Sequence, residues 1–193
     1  MQLRRTLIFC VFLCVGQHIF AQKNPVLEKK IQVYFEAMEK PDFDLIMSMT
    51  YPKLFTLAPK SSVKQGLESV FNNPQIGIRI DSTTMDSLHR MLTHNAGQYI
   101  KIDYSFLMVM KFKSDSTGPV MANRALPTMK SKYGAANTRV NPLTNELVIT
   151  RRSTMVAIKN ALSKDWTFIE LKDDDPLSEK LLGQELLTKL EQY

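Results

Sequence analysis

The chain has 193 residues, of which 44% are hydrophobic and 23% charged, and its formal net charge is +6. With only 9 Pro and 7 Gly, this composition excludes intrinsic disorder, collagen and low-complexity architectures. The length suits one domain with a hydrophobic core of ordinary size.

The first 21 residues have the order of a secretory signal peptide. Arg4 and Arg5 precede nine apolar residues at 7–15, and the segment closes at Ala21. This basic, apolar and small-residue order is typical of export signals. The apolar run is about half of the roughly 20 residues that a membrane span needs. We therefore predict a signal peptide at 1–21, a mature chain of 22–193 in the periplasm or the medium, and no integral membrane segment after cleavage.

Cys10 and Cys14 both lie within the predicted signal peptide, so the predicted mature chain contains no cysteine. This excludes disulfides, thiolate zinc sites and cysteine nucleophiles. Phe9 and Leu13, which precede the two cysteines, are too large for a lipoprotein cleavage site, so lipid anchoring is not favoured. The remaining basic residues are scattered in pairs, whereas nucleic-acid binders gather them on one face. We predict no nucleic-acid partner.

Amphipathic helices open the mature chain. Asn24-Pro25 combines a helix cap with Pro at the first helical position, and apolar residues at helical spacing then predict a helix to about residue 40. Asp42 caps a shorter helix that ends before Pro52. Ser62 and Gln65 form a capping-box pair for a third helix, which ends before Pro74.

The pattern then changes to a period of two, which predicts strands at 76–80, 83–94 and 100–112. The last of these has apolar residues on one face, among them Tyr104, Phe106 and Met108, and polar residues such as Lys101 and Asp103 on the other. A strand of roughly 40 Å must twist and curl. We expect the helices upstream to fill its concave side.

The second half of the chain predicts one more helix at about 121–129, which Pro127 kinks or starts, and strands at 137–140, 146–159 and 165–171. Within the middle strand, residues 151–153 mark either a bulge or a break. A helix at 176–190 is predicted as a C-terminal extension.

This order of elements resembles the nuclear-transport-factor-2-like superfamily, which includes ketosteroid isomerases and polyketide-cyclase-type proteins. The residues that carry the resemblance are Tyr34-Phe35-Glu36-Ala37-Met38, the segment 51–55, and the last two strands, in which Trp166 precedes Phe168 by two positions. The resemblance covers most of 25–171. The chain is also similar to secreted members of this superfamily from Bacteroidetes-type bacteria. The resemblance implies an α+β fold with a cone-shaped, curved antiparallel sheet wrapped around the N-terminal helices and an apolar pocket at the cone mouth. Members use the pocket for binding or catalysis, or dimerise through the outer sheet face.

The predicted pocket residues are amphipathic aromatics, apolar residues of the long strand and one histidine: Tyr34, Tyr51, Tyr104, Phe106, Met108, Trp166 and His89. His89 and His94, five positions apart, do not share a face, so we predict no metal site. No phosphate loop, zinc-protease helix, serine elbow or calcium loop occurs in the sequence, and we predict no cofactor and no catalytic residue.

We therefore expect an exported, non-enzymatic protein whose pocket binds a small apolar ligand or a protein partner. Two alternatives stay open. The first is a pocket enzyme of isomerase or cyclase type with His89 or an Asp as its base. The second is a structural module that forms a homodimer through the outer sheet face, where Leu107 and Val109 interrupt the polar side of the long strand.

Overall fold

The computed structural model describes residues 24–114, 117–172 and 175–192, so the predicted signal peptide at 1–21 lies outside the described residues. The helices are α1 (Pro25–Glu39), α2 (Phe43–Met49), α3 (Leu54–Leu57), α4 (Lys60–Phe71), α5 (Gly118–Tyr133), α6 (Pro176–Leu182) and α7 (Gln184–Glu191). The strands are β1 (Ile76–Leu88), β2 (Leu92–His94), β3 (Gly97–Phe112), β4 (Thr138–Val140), β5 (Leu147–Asn160) and β6 (Ser163–Leu171). The predicted α+β class is confirmed.

Side-chain caps begin the first two helices where the sequence predicts them. Asn24 Oδ1 accepts a 3.0 Å hydrogen bond from the Leu27 amide, and Asp42 Oδ1 accepts one of 3.0 Å from the Leu45 amide. Each bond satisfies a helix N–H that has no partner within the helix. The capping box predicted at Ser62 is wrong, because α4 begins at Lys60 with Pro59 as its N-cap.

The strands form one open antiparallel sheet with β3 at its centre. On one edge β3 pairs with β1 and β2, and on the other it pairs with β5 along thirteen continuous positions, from Gln98↔Lys159 to Met110↔Leu147. The far edge of β5 is shared, because β6 pairs with Thr154–Asn160 and β4 with Leu147–Ile149. In the described structure, positions 151–153 therefore lie in a gap between the two edge strands.

Three predicted breaks are absent from the described elements. Strand β5 runs through 151–153 without a bulge against β3, and α5 runs through Pro127. The separate strands predicted at 76–80 and 83–94 are instead β1, which continues to Leu88, and the short β2. Register shifts after Asp81 and Met85 let β1 stay paired with β3, with Ser82 in the left-handed region at φ +53°.

The sheet has two faces, which we name from β3. The front face carries Ile102, Tyr104 and Phe106, and the back face carries Lys101, Asp103 and Ser105. Helix α1 packs on the front face through Leu27, Ile31 and Phe35, in one cluster with these β3 residues and with Met155 and Phe168. Burying each of these large side chains contributes about 1.5–3 kcal/mol, so this cluster is the main core.

The C-terminal segment packs on the back face. Leu186 and Leu190 of α7 lie against Tyr99, Val156 and Ile158. The single helix predicted at 176–190 is wrong, because Gly183 at φ +80° separates α6 from α7. This end of the back face is thus covered by the chain itself.

The two back-face residues that suggested a dimer surface differ in exposure. Leu107 is partly buried, and only 3% of the Val109 surface is exposed. Arg79 is the β1 neighbour of Val109 and reaches Glu146 on the far side of β3. No helix among the described residues combines the length and the apolar character needed to cross a membrane.

Candidate functional site

An apolar cavity of about 380 Å³ lies between the helices and the front face of the sheet. Its walls come from helices α1 to α4 and from strands β1, β3, β5 and β6, and include Met38, Met47, Leu67, Ile80, Phe106, Met108 and Phe168. The volume falls within the range of roughly 300–1,000 Å³ typical of small-molecule sites.

Helix α4 forms one wall of the cavity without being packed into the core. Val63, Leu67, Val70 and Phe71 line the cavity, yet no residue of α4 is buried. By contrast, α1 has four buried residues. The Phe71 ring contacts Phe43 edge-on, with 5.6 Å between the centroids, which ties the end of α4 to α2. An apolar helix side that its own chain leaves partly uncovered can be covered by a ligand.

Five polar side chains interrupt the apolar lining: Tyr34, Thr50, Tyr104, Arg151 and Glu170. The Thr50 hydroxyl is already used, because it donates a 2.8 Å hydrogen bond to the Ile46 carbonyl. Of the other four, Tyr104 and Glu170 each have a hydrogen bond with Ser153, and all four face the space in which a molecule would bind.

The two tyrosines are hydrogen-bond donors held in an apolar setting. Burial raises the pKa of Tyr34 to about 12, and the nearby Glu170 carboxylate adds to this effect. Burial and Glu170 also raise the pKa of Tyr104. The Tyr34 ring lies 5.0 Å from Phe168, and the Tyr104 ring stacks on Phe106 at 5.8 Å between the centroids. Both hydroxyls are therefore protonated at neutral pH and held by neighbouring rings.

Arg151 and Glu170 carry opposite charges at separate points of the lining. The guanidinium carbon of Arg151 lies 5.7 Å from the Phe106 ring centroid and 5.4 Å from that of Tyr133, which is cation–π distance. Glu170 is exposed, and its Oε1 accepts a 2.6 Å hydrogen bond from the Ser153 hydroxyl. The charged groups thus use different partners and do not neutralise each other directly.

The polar part of the cavity adjoins a more open depression of the surface. The two share Tyr104, Arg151 and Glu170, and the depression extends over Ser153 and Asp103. It lies where the far edge of β5 has neither β4 nor β6 beside it. The gap between the edge strands thus provides a polar approach to an apolar interior.

Four of the residues predicted from the sequence line the cavity together: Tyr34, Tyr104, Phe106 and Met108. Trp166 does not, because it is buried in the filled part of the front-face core. Tyr51 lies on the other side of β6, in the cluster with Leu186 and Leu190, and its hydroxyl accepts a 2.9 Å hydrogen bond from Asn160. The reason is local: Thr50 is extended and bridges to Phe168, so adjacent residues 50 and 51 point to opposite sides.

His89 is also outside the cavity. Its Nε2 lies 2.6 Å from Asp103 Oδ2 on the back face, and Thr154 donates a 2.7 Å hydrogen bond to Asp103 Oδ1. Burial alone would raise the pKa of Asp103, but the hydrogen bonds from His89 and Thr154 outweigh it and hold that pKa below its usual value. Neither group lies in the apolar cavity, and the pKa of the Asp103 carboxylate is lowered, whereas that of a carboxylate base in an apolar pocket is raised.

Sequence reasoning missed Arg151, Glu170 and the lining from α4. A signal for the first two was present. Arg151 falls in the same alternation as Ile149 and Met155, and Glu170 in that of Trp166 and Phe168, so each places a charge on an apolar face. Within the described ranges, no three His, Cys, Asp or Glu residues are grouped so that they could hold a metal ion.

No family model, no curated protein and no solved structure matches this chain.

Proposed function

We propose that the protein is an exported binding protein without catalytic activity, which holds a small, largely apolar ligand in the front-face cavity. The proposal includes the finer form of the fold, a cone-shaped sheet of nuclear-transport-factor-2-like type wrapped around the N-terminal helices. The order of helices before strands and the packing of α1 on the front face support it.

The observation that carries the proposal is the incompletely packed wall at α4. Protein interiors are usually filled to the density of organic crystals. Here Leu67 and Phe71 face a space of about 380 Å³ across from Ile80 and Met108. A ligand in this space would bury apolar surface on both walls, at roughly 25 cal/mol for each Å² removed from water.

A pocket enzyme of isomerase type is the second candidate, because Glu170 lines the cavity near the Tyr34 and Tyr104 hydroxyls. A carboxylate and a phenol can act as base and hydrogen-bond donor. Binding is favoured over catalysis because Glu170 is exposed and already accepts a hydrogen bond from Ser153. That carboxylate therefore already has a hydrogen-bond partner other than a substrate.

Blocking the cavity tests the proposal. The neutral apolar probe N-phenyl-1-naphthylamine should bind the protein saturably, with increased fluorescence. Leu67→Trp places an indole in the cavity from the least buried wall and should abolish this binding. Leu57→Trp is the matched control, because Leu57 is 48% exposed on α3 and does not line the cavity.

Circular dichroism and thermal melts would show that both variants are folded. Saturable binding that survives unchanged in Leu67→Trp would refute the cavity as the site, and no binding by the unmodified protein would refute the proposed function. Export is tested separately by expressing the whole chain in a bacterial host. The intact mass of the periplasmic or secreted protein should then match a chain that starts at Gln22.

A further inference from the structure

We infer that the ligand of the front-face cavity is an amphipathic anion, with an apolar body among the α4 and sheet side chains and an oxyanion head group at Arg151. This inference rests on the proposed function and narrows its ligand class. A carboxylate and a phosphate monoester share the required chemistry.

The first observation is the unneutralised charge of Arg151. Its position in β5, opposite Phe106 of β3, places it on the front face between two aromatic rings. These rings restrict the long side chain without cancelling its charge. Across the described ranges, Arg151 makes no ion pair with a carboxylate. A guanidinium held in this way is preorganised to bind an oxyanion through two parallel N–H groups.

The second observation is the aromatic and apolar setting of Arg151 in the cavity lining. The Tyr104 ring stacks on Phe106, the ring that Arg151 also contacts, and Tyr34 joins it in the lining. The Tyr104 hydroxyl already has a hydrogen bond with Ser153. An oxyanion at Arg151 would accept hydrogen bonds from the guanidinium, in surroundings where apolar side chains strengthen them.

The third observation is that Glu170 is held by Ser153 and not by Arg151. Glu170 pairs with Met155, whereas Arg151 lies four residues earlier in the same strand. At roughly 3.3 Å per residue, this places about 13 Å of strand between the two positions. Ser153 lies between them and donates to Glu170. The Glu170 carboxylate is therefore held at Ser153, two residues from Arg151, and within the described structure it makes no ion pair with the guanidinium.

Ligands that share a ten-carbon chain and differ only in the head group test the inference. Decanoate, decyl phosphate, decanol and decyltrimethylammonium would each compete with bound N-phenyl-1-naphthylamine. We expect at least one of the two anions to compete at a concentration about tenfold or more below that of decanol, as a charge-assisted hydrogen bond predicts. Arg151→Gln should remove this advantage, so that the two anions compete with the probe no better than decanol does in the same variant.

Arg139→Gln is the matched control, because Arg139 is exposed on the back face of β4 and loses the same charge. It should keep the preference for the anion. If decanol and both anions compete equally, if decyltrimethylammonium is preferred, or if Arg151→Gln behaves like Arg139→Gln, the anionic ligand is refuted while apolar binding stands. Failure of the neutral probe itself to bind would instead refute the proposed function, and the inference with it.

Discussion

Arg79 on β1 and Glu146, just before β5, are joined by hydrogen bonds of 2.9 and 3.3 Å across the back face of the sheet. Strand β3 lies between them, so the pair links strands that are not neighbours. The Glu146 side chain is 11% exposed and that of Arg79 49%. The hydrogen bonds from Arg79 hold the pKa of Glu146 below its usual value, and Thr144 adds to the effect. The nearly buried Glu146 carboxylate therefore relies on Arg79 for its hydrogen bonds more than the half-exposed Arg79 guanidinium relies on Glu146.

Arg79→Met should destabilise the protein more than Glu146→Gln. The first variant leaves a nearly buried carboxylate without its main partner, at a cost of about 1–3 kcal/mol, whereas the second leaves a half-exposed guanidinium that water and Asp81 can satisfy. Urea unfolding of both variants and of the double mutant measures the difference. Equal costs for the two single variants would contradict this asymmetry.

The same substitution at two glycines should have opposite effects on the free energy of unfolding. Gly183 lies between α6 and α7 at φ +80°, ψ 146°, a backbone conformation that residues with a side chain rarely adopt. Gly183→Ala should therefore lower the free energy of unfolding by about 1–3 kcal/mol. Gly66 lies within α4 with open space around it, so Gly66→Ala should stabilise the protein by about 0.5–1 kcal/mol. Thermal and urea unfolding would decide. A neutral Gly183→Ala would mean that the break between the helices does not require glycine.

Two leucines of α7 test whether the C-terminal helices belong to the folded unit. Leu190 is 2% exposed against the back face, and Leu190→Ala should cost about 2–4 kcal/mol. Leu187, one turn earlier, is only partly buried, and Leu187→Ala should cost clearly less. A single cooperative unfolding transition is expected for both variants. Loss of α7 signal alone, with the sheet intact, would show that the extension folds independently.

Tyr34 should make stability sensitive to alkali. Burial first, and then the Glu170 charge, raise the pKa of Tyr34 to about 12, above the value of about 10 expected in the unfolded chain. The contribution of its protonated form is complete below pH 10 and is lost as the pH rises through about 12. Tyr34→Phe should flatten the fall in melting temperature over this window. An unchanged pH profile in that variant would contradict the burial of the hydroxyl.

Asp103 should make stability sensitive to acid. Hydrogen bonds from His89 and Thr154 overcome the effect of burial and hold the pKa of Asp103 below its usual value. The stability that its carboxylate contributes is present above about pH 4 and is lost as the pH falls through the lowered pKa. Asp103→Asn should reduce this dependence, and His89→Asn should reduce it in part. A difference in melting temperature between Asp103→Asn and the unmodified protein that stays the same at every acidic pH would contradict this expectation.

The sequence by itself determined the features that depend only on neighbouring residues, namely where helices begin and which face of a strand a side chain occupies. The caps Asn24 and Asp42 mark helix starts because each satisfies an amide three residues away. The alternation in β3 places Tyr104, Phe106 and Met108 on one face because strand side chains have a period of two. Those three residues, with Tyr34, were therefore predicted together and line one cavity.

Only the tertiary structure decided whether the other candidate residues line the cavity. Arg151 and Glu170 are 19 positions apart and meet the same cavity because the β5–β6 register and the gap before β4 place them there. Tyr51 lies outside it because the bridge at Thr50 places it on the other side of β6, and His89 because it follows Leu88, which pairs with Ile102 of the front face. Such registers depend on long-range pairing, whereas hydrophobic periodicity records only which face of its own element a residue occupies.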